Sequence, residues 1–250
     1  MTKKDTSWQG VSGWYDELLS KEDTYQSKVI LPNLLRIINP KKGESILDVA
    51  CGQGFFSHEI SKLDARVVGI DSSKDLIKIA TENKIGNEKF FITNAEQIAL
   101  NEKFDKAFCV LAIQNIKSID KVFSGVSKIL KPNGTFVMVI NHPAFRVPQF
   151  SDWGFDEVKK TQYRSVYKYM SEVSVDIEMN PGKKEKSKKT QSFHRPLQYY
   201  FKMLAKEGFA VKRLEEWISH KESMIGPKKI AEDNARKEIP LFMMIEAVKL

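Results

Sequence analysis

Ile46-Leu47-Asp48-Val49-Ala50-Cys51-Gly52-Gln53-Gly54 decides the fold. Ser45 to Ala50 reads as a buried strand, Gly52 to Gly54 as a tight turn, and Phe55 to Leu63 as the helix that follows. Downstream the same alternation repeats. Arg66 to Ile70 is a second strand ending in Asp71, and Ser72 or Ser73 caps a helix running to about Asn83. Phe90 to Thr93 and Lys106 to Leu111 are the next strands. Asp120 to Leu130 is helical and stops before Pro132-Asn133-Gly134, after which Thr135 to Ile140 begins a fifth strand. Strand-helix spacing this regular predicts a parallel sheet with right-handed crossovers and a 3-2-1-4-5 order. Upstream, Ser12 to Leu19 and Tyr25 to Ile38 read as two helices, the second closed by Asn39-Pro40, expected to cap the carboxyl edge of the sheet.

After the fifth strand the pattern loosens. Between Asn141 and about Phe193 only Val173, Val175, Ile177 and Met179 alternate, which predicts a hairpin arm whose turn is the lysine run Gly182 to Lys189. Arg195 to Gly208 reads as a helix, and Val211 to Ile218 and Pro240 to Val248 as closing strands. An insertion after a strand's carboxyl end in a doubly wound sheet lies over the ligand crevice, so residues 142–194 are the expected substrate lid. The whole is an α/β fold, an αβα sandwich with a seven-stranded, mostly parallel sheet, read as one domain. Residues 1–40 supply cap helices, 41–141 the ligand-binding core, 142–194 the lid and 195–250 the last part of the sheet.

Composition excludes several classes. With 250 residues and 42% hydrophobic content the chain can bury a sizeable core, and no apolar run approaches the roughly 18 residues of a membrane span. The N-terminus lacks a leader pattern, so the expectation is a cytoplasmic protein, monomeric or homodimeric, without a membrane partner. Cys51 and Cys109 are too few for a disulfide framework and have no metal-ligand spacing; they read as reduced packing residues at the ends of neighbouring strands. The lysine run, with five lysines and one glutamate, supplies half of the net charge of +8. Basicity that local is a weak nucleic-acid signal.

The chemistry follows from the glycine turn and Asp71. Glycines between first strand and first helix let a ligand approach the backbone. Asp71, seventeen residues after Gly54, is placed to accept hydrogen bonds from both hydroxyls of a ribose. A dinucleotide fingerprint wants a third glycine where Ser57 stands, with bulky Phe55 and Phe56 before it, so a nicotinamide oxidoreductase fits poorly.

The run ILDVACGQG resembles the first motif of class I S-adenosylmethionine-dependent methyltransferases, and GIDSS, Asn94-Ala95-Glu96 and FDKAFCVL resemble the motifs that follow it. The resemblance spans roughly Trp14 to Val248 and looks closest to the small-molecule methyltransferases of the menaquinone and ubiquinone type. It implies a Rossmann-like fold, S-adenosylmethionine as cofactor with S-adenosylhomocysteine as product, and a small, aromatic or apolar, acceptor. Carried over by position, Gly52 and Gly54 would lie against the methionine part. Asp48 would stabilise the turn and the amino end of the methionine, Asp71 would hold the ribose, Asn94 and Ala95 would face the adenine, Leu111 would sit below the methyl, and Ala50 and Ser72 would also belong to the cofactor site. Asn94 stands where such proteins commonly carry aspartate, and its amide oxygen can still accept a hydrogen bond. Trp14, Tyr15 and Tyr25 resemble aromatics that close over the cofactor.

Methyl transfer needs alignment and exclusion of water, and some acceptors need a proton removed. His142 and His194, flanking the lid, are the candidate catalytic groups; structural packing or capping is the competing reading for each. Gln114, Asn115, Trp153 and Tyr163 are candidate acceptor contacts, with Phe155 and Tyr167 in the same aromatic segment. Two other functions stay open at this point. An RNA methyltransferase is disfavoured because LAIQNI replaces the Asn- or Asp-Pro-Pro-aromatic motif and neither cysteine follows a proline. A cofactor-binding protein without catalysis is the other.

Overall fold

The computed structural model describes residues 23–178 and 189–250. The expected helix from Ser12 to Leu19, with Trp14 and Tyr15, and the lysine run up to residue 188 lie outside these residues. Seven strands form the central sheet: β1 (Ser45–Val49), β2 (Arg66–Asp71), β3 (Lys89–Ile92), β4 (Phe104–Val110), β5 (Leu130–Asn141), β10 (Phe209–Trp217) and β11 (Phe242–Lys249), in the order β3-β2-β1-β4-β5-β11-β10. The first five are parallel; β11 runs antiparallel between β5 and β10. This is the predicted Rossmann-like, mostly parallel architecture.

Alternating residues divide the core between the two faces of the sheet. Leu47, Val68, Ala107, Phe136, Met138 and Ile245 face helices α4 (Ile119–Ile129) and α5 (Leu197–Lys206), which contribute Val122, Phe123, Tyr200 and Leu204. Ile46, Val67, Phe108, Val137 and Met244 face the other way, onto Leu34, Ile37 and Ile38 of α1 (Leu31–Ile38) and Ile60 of α2 (Phe55–Ser61). Each large apolar side chain so buried stabilises the fold by about 1.5–3 kcal/mol.

Helix α1 therefore corrects one expectation. It lies on a face of the sheet rather than over its carboxyl edge, because its stripe Leu34, Ile37 and Ile38 needs an apolar partner. A π-helical turn, Gln26–Ile30, precedes it. Pro32 at the start of α1 has no N–H to continue an i→i−4 ladder from that turn. Strand β5 also begins earlier than predicted: Leu130 pairs with Phe104 and Thr135 with Lys106, and the intervening residues bulge out with Asn133 at φ 61°.

The insertion holds two hairpins, β6 (Ser151–Asp156) with β7 (Thr161–Val166), and β8 (Val173–Glu178) with β9 (Lys189–His194). The second is the arm predicted from alternation. The first was hidden because its turn lacks glycine; Asp156 instead accepts the Val158 and Lys159 N–H groups and Lys160 takes φ 50°. A polar helix, α6 (Lys229–Glu238), packs on β7 and was equally hidden, since Ala235 is its single buried residue.

Candidate active site

Strand β1 delivers the chain into a turn with three left-handed residues, Ala50 (φ 59°), Gly52 (φ 57°) and Gly54 (φ 86°). For Ala50 that conformation costs about 1–2 kcal/mol. The turn is tied down on both sides. The Cys51 N–H donates to Ile70 O at 2.9 Å and Gly54 N–H to Cys51 O at 3.0 Å. A Cβ on Gly54 would lie 2.9 Å from His58 Nε2 and 3.1 Å from Ala80 Cβ, so this glycine allows α2 and α3 (Lys74–Glu82) to close on the turn.

Two carboxylates flank the turn. Asp48 is buried, accepts from Ser57 Oγ at 2.7 Å, and is pushed up to about pKa 8 by burial, with the Ser57 bond opposing and Asp71 adding to the rise. Asp71, the last residue of β2, accepts the Gly52 N–H on Oδ2 at 3.0 Å and the Ser73 N–H on Oδ1 at 2.8 Å. Burial raises its pKa, against the pull of those N–H groups. Ser73, not Ser72, caps α3 through Leu76 N–H at 3.4 Å.

The carboxyl ends of β1, β2 and β4 open onto a cavity of about 670 Å³. Ala50, Gly52, Asp71, Ser72, Asn94, Ala95, Leu111 and Asn115 all line it, so the structure brings eight of the predicted positions together. Strand β9 lies against the turn Ile113–Asn115 and adds Gln191 and Phe193 to the wall. Leu111 is a second strained residue here, at φ 52°, held by its N–H to Val139 O at 2.7 Å.

A sequence model of the methyltransferase-domain family matches residues 40–195. The chain belongs to the methyltransferase-domain family. It is 33% identical over 107 residues to a ubiquinone biosynthesis O-methyltransferase of Pelagibacter ubique, covering 41% of this chain and 44% of that one. To a demethylmenaquinone methyltransferase of Tropheryma whipplei it is 27% identical over 118 residues, covering 46% and 49%. The chain thus spans about half the length of the curated relatives it matches. A solved S-adenosylmethionine dependent methyltransferase from Mesorhizobium loti superposes with a TM-score of 0.70 at 21% identity, over 91% of this chain and 99% of that one; this likeness shows the fold alone.

Within this methyltransferase fold, several predicted residues lie elsewhere. Asp48 and Gly54 are packed behind the turn rather than on the cavity. Asn94 lines it, but its Oδ1 caps the turn Ala95–Gln97 by accepting the Glu96 N–H at 2.8 Å, leaving Nδ2 and one lone pair for a ligand. Tyr25 sits beside the start of β11, its ring 5.7 Å from Phe242 and its hydroxyl 3.2 Å from Ser219 Oγ. Neither histidine lines the cavity. His142 Nε2 is 2.6 Å from Glu216 Oε1 and its Nδ1 accepts the Ala144 N–H, while His194 Nε2 donates to Tyr169 O at 2.8 Å. Burial lowers both pKa values. Trp153 and Tyr163 belong to the β6–β7 hairpin, where Arg164 stacks on Trp153 at 5.1 Å and the Tyr163 ring covers Gly154. Gln114 donates to Leu111 O at 2.8 Å and so braces the β4 end.

Sequence reasoning missed the buried pair His58 and Glu88, 3.0 Å apart behind the glycine turn, and Gly69, whose absent side chain admits Phe90 and Cys51. Cys51 and Cys109 are free and buried, and burial raises both thiols. Among the described residues no His, Cys, Asp and Glu cluster suits a metal, and no helix is long and apolar enough to cross a membrane.

Proposed function

We propose that the chain transfers a methyl group from S-adenosylmethionine to a small acceptor and releases S-adenosylhomocysteine. The observation that carries this reading is the Asp71 carboxylate. Its oxygens accept the backbone N–H groups of Gly52, Ser73 and Ser72, and because a carboxylate offers about four acceptor sites and Asp71 lines the cavity, it keeps acceptor capacity for ligand hydroxyls. The remaining walls fit the same ligand: Gly52 offers bare backbone, Ala95 and Leu111 offer apolar faces to a purine, and Asn94 offers amide groups at its edge.

Bound there, the cofactor supplies an electrophilic methyl carbon on a sulfonium. The chain's own part is geometric: Asp71 and the glycine turn hold one reactant, and the β8–β9 arm closes the cavity so that the other approaches in line with water excluded. With the cofactor bound, the acceptor would take up the methyl carbon as its bond to sulfur breaks, and an acceptor proton, where there is one, would pass to solvent. His142 and His194 are assigned structural roles. The quinone methyltransferases among the relatives support an aromatic or apolar acceptor.

Titration calorimetry with S-adenosylhomocysteine and, separately, NADH tests the reading. Binding of the first alone, with Kd in the micromolar range of about −8 kcal/mol, is the expected result. Binding of NADH, or of neither, refutes it.

A further inference from the structure

The cavity extends from Gly52, Asp71 and Asn94, where the cofactor would lie, to residues 115–117 and strand β9. Its outer half lies between residues 115–117 and strand β9 and has a distinct chemistry. Asn115 is part of its lining, although its Oδ1, which has no hydrogen-bond partner among the described residues, is itself buried away from the open space. Lys117 and Lys189 line it, and neither has a carboxylate partner among those residues. Of the two acids of β8, Asp176 lines it and Glu178 stands opposite Lys189 in the hairpin register; Glu96 also lines it and accepts the Ser118 N–H at 2.8 Å.

Behind this wall stands Arg195, 3% exposed. It donates to Ile116 O at 2.9 Å and Lys117 O at 2.7 Å, and its guanidinium lies 5.2 Å from the Phe193 ring and 5.6 Å from Tyr199. No carboxylate among the described residues pairs with it. The guanidinium also hydrogen-bonds the Tyr200 side chain, and its Nη1 has no partner among the described residues; a buried cation without a carboxylate is costly unless a negative group is brought near. Arg195 also fixes the Phe193 ring as a flat wall.

We propose that this outer half is the acceptor site and that it selects an aromatic acid: the carboxylate lies between Lys117 and Lys189, and the ring lies along Phe193. The proposal rests on the cofactor reading above. It sharpens the expectation of an apolar acceptor by adding an anionic end.

The test loads the full chain with S-adenosylhomocysteine and titrates it with benzoate and salicylate, and with benzamide and salicylamide as neutral counterparts of the same shape. The double variant Lys117→Ala, Lys189→Ala changes only exposed side chains and is titrated in parallel, its affinity for S-adenosylhomocysteine being measured first. The expected result is that the acids bind at least about tenfold more tightly than the amides, and that the double variant loses about tenfold in acid affinity while holding S-adenosylhomocysteine as the parent does. Acids and amides that bind alike, a loaded parent that takes no acid, or a double variant that keeps full acid affinity overturns the proposal. A parent that does not bind S-adenosylhomocysteine at all overturns the cofactor reading, and this proposal falls with it.

Discussion

Replacing Asp71 with asparagine keeps the size of the side chain and removes one acceptor oxygen. In the native turn, Oδ2 accepts the Gly52 N–H and Oδ1 the Ser73 N–H. An amide offers one oxygen and one NH₂, so either Gly52 or Ser73 meets a donor instead of an acceptor whichever way it turns. Leaving a buried donor unpaired costs about 1–3 kcal/mol of stability, which for a chain of this size is roughly 2–4 °C in Tm per kcal/mol. Ligand affinity falls for a second reason. The ribose hydroxyls lose a charged acceptor, and a hydrogen bond to a charged group is worth about 1.5–3 kcal/mol, or roughly 10- to 150-fold in Kd. Calorimetric titration with S-adenosylhomocysteine, beside a thermal melt of the unliganded variant, separates the two effects. A variant that melts lower yet binds within about threefold of the parent would refute the reasoning, because the carboxylate would then serve the turn alone.

Asp48→Asn should raise stability at neutral pH. The unfolded carboxyl ionises above its ordinary 3.8, whereas the folded one keeps its proton to about 8, so the native state holds more protons between these values and stability falls as pH rises through that window. The variant's urea midpoint should lose that slope; an unchanged slope sinks the assignment. Gly69→Ala places a Cβ 2.5 Å from Phe90 Cδ1 and 2.9 Å from Cys51 Sγ, and overpacking of this kind costs about 1–3 kcal/mol in equilibrium unfolding. Glu88→Gln removes a buried carboxylate. Burial pushes that group up, but the His58 bond and the N–H groups of Gly86 and Ile85 outweigh it and hold its pKa below the usual range. Its stabilisation is therefore present above the ordinary 4.5 and lost as pH falls through the lower folded value, and melts of parent and variant should converge at acid pH.

The strands, the glycine turn, Asp71 and the β8–β9 arm were legible because each is signalled within a few residues: a continuous apolar run, two glycines, a terminal acid, an alternation. Eight cavity residues followed from that register and the resemblance it carries. The β6–β7 hairpin and α6 were not legible, since one turns on Asp156 without a glycine and the other has almost no apolar face. Side-chain roles were legible only where the local chain fixed them. His142 and His194 stand at crevice positions by sequence, yet each imidazole is claimed by a partner far along the chain, Glu216 and Tyr169.

By itself, then, the sequence determined the order and type of the central elements and the residues at the strand ends, because periodicity and turn chemistry act between near neighbours. Only the tertiary structure decided which of those residues share a cavity, that α1 covers a face rather than the edge, and that Arg195 stands behind Phe193 with no carboxylate partner among the described residues. Burial and pairing are properties of groups that meet across the fold, and no local pattern encodes which distant partner a buried polar group will find.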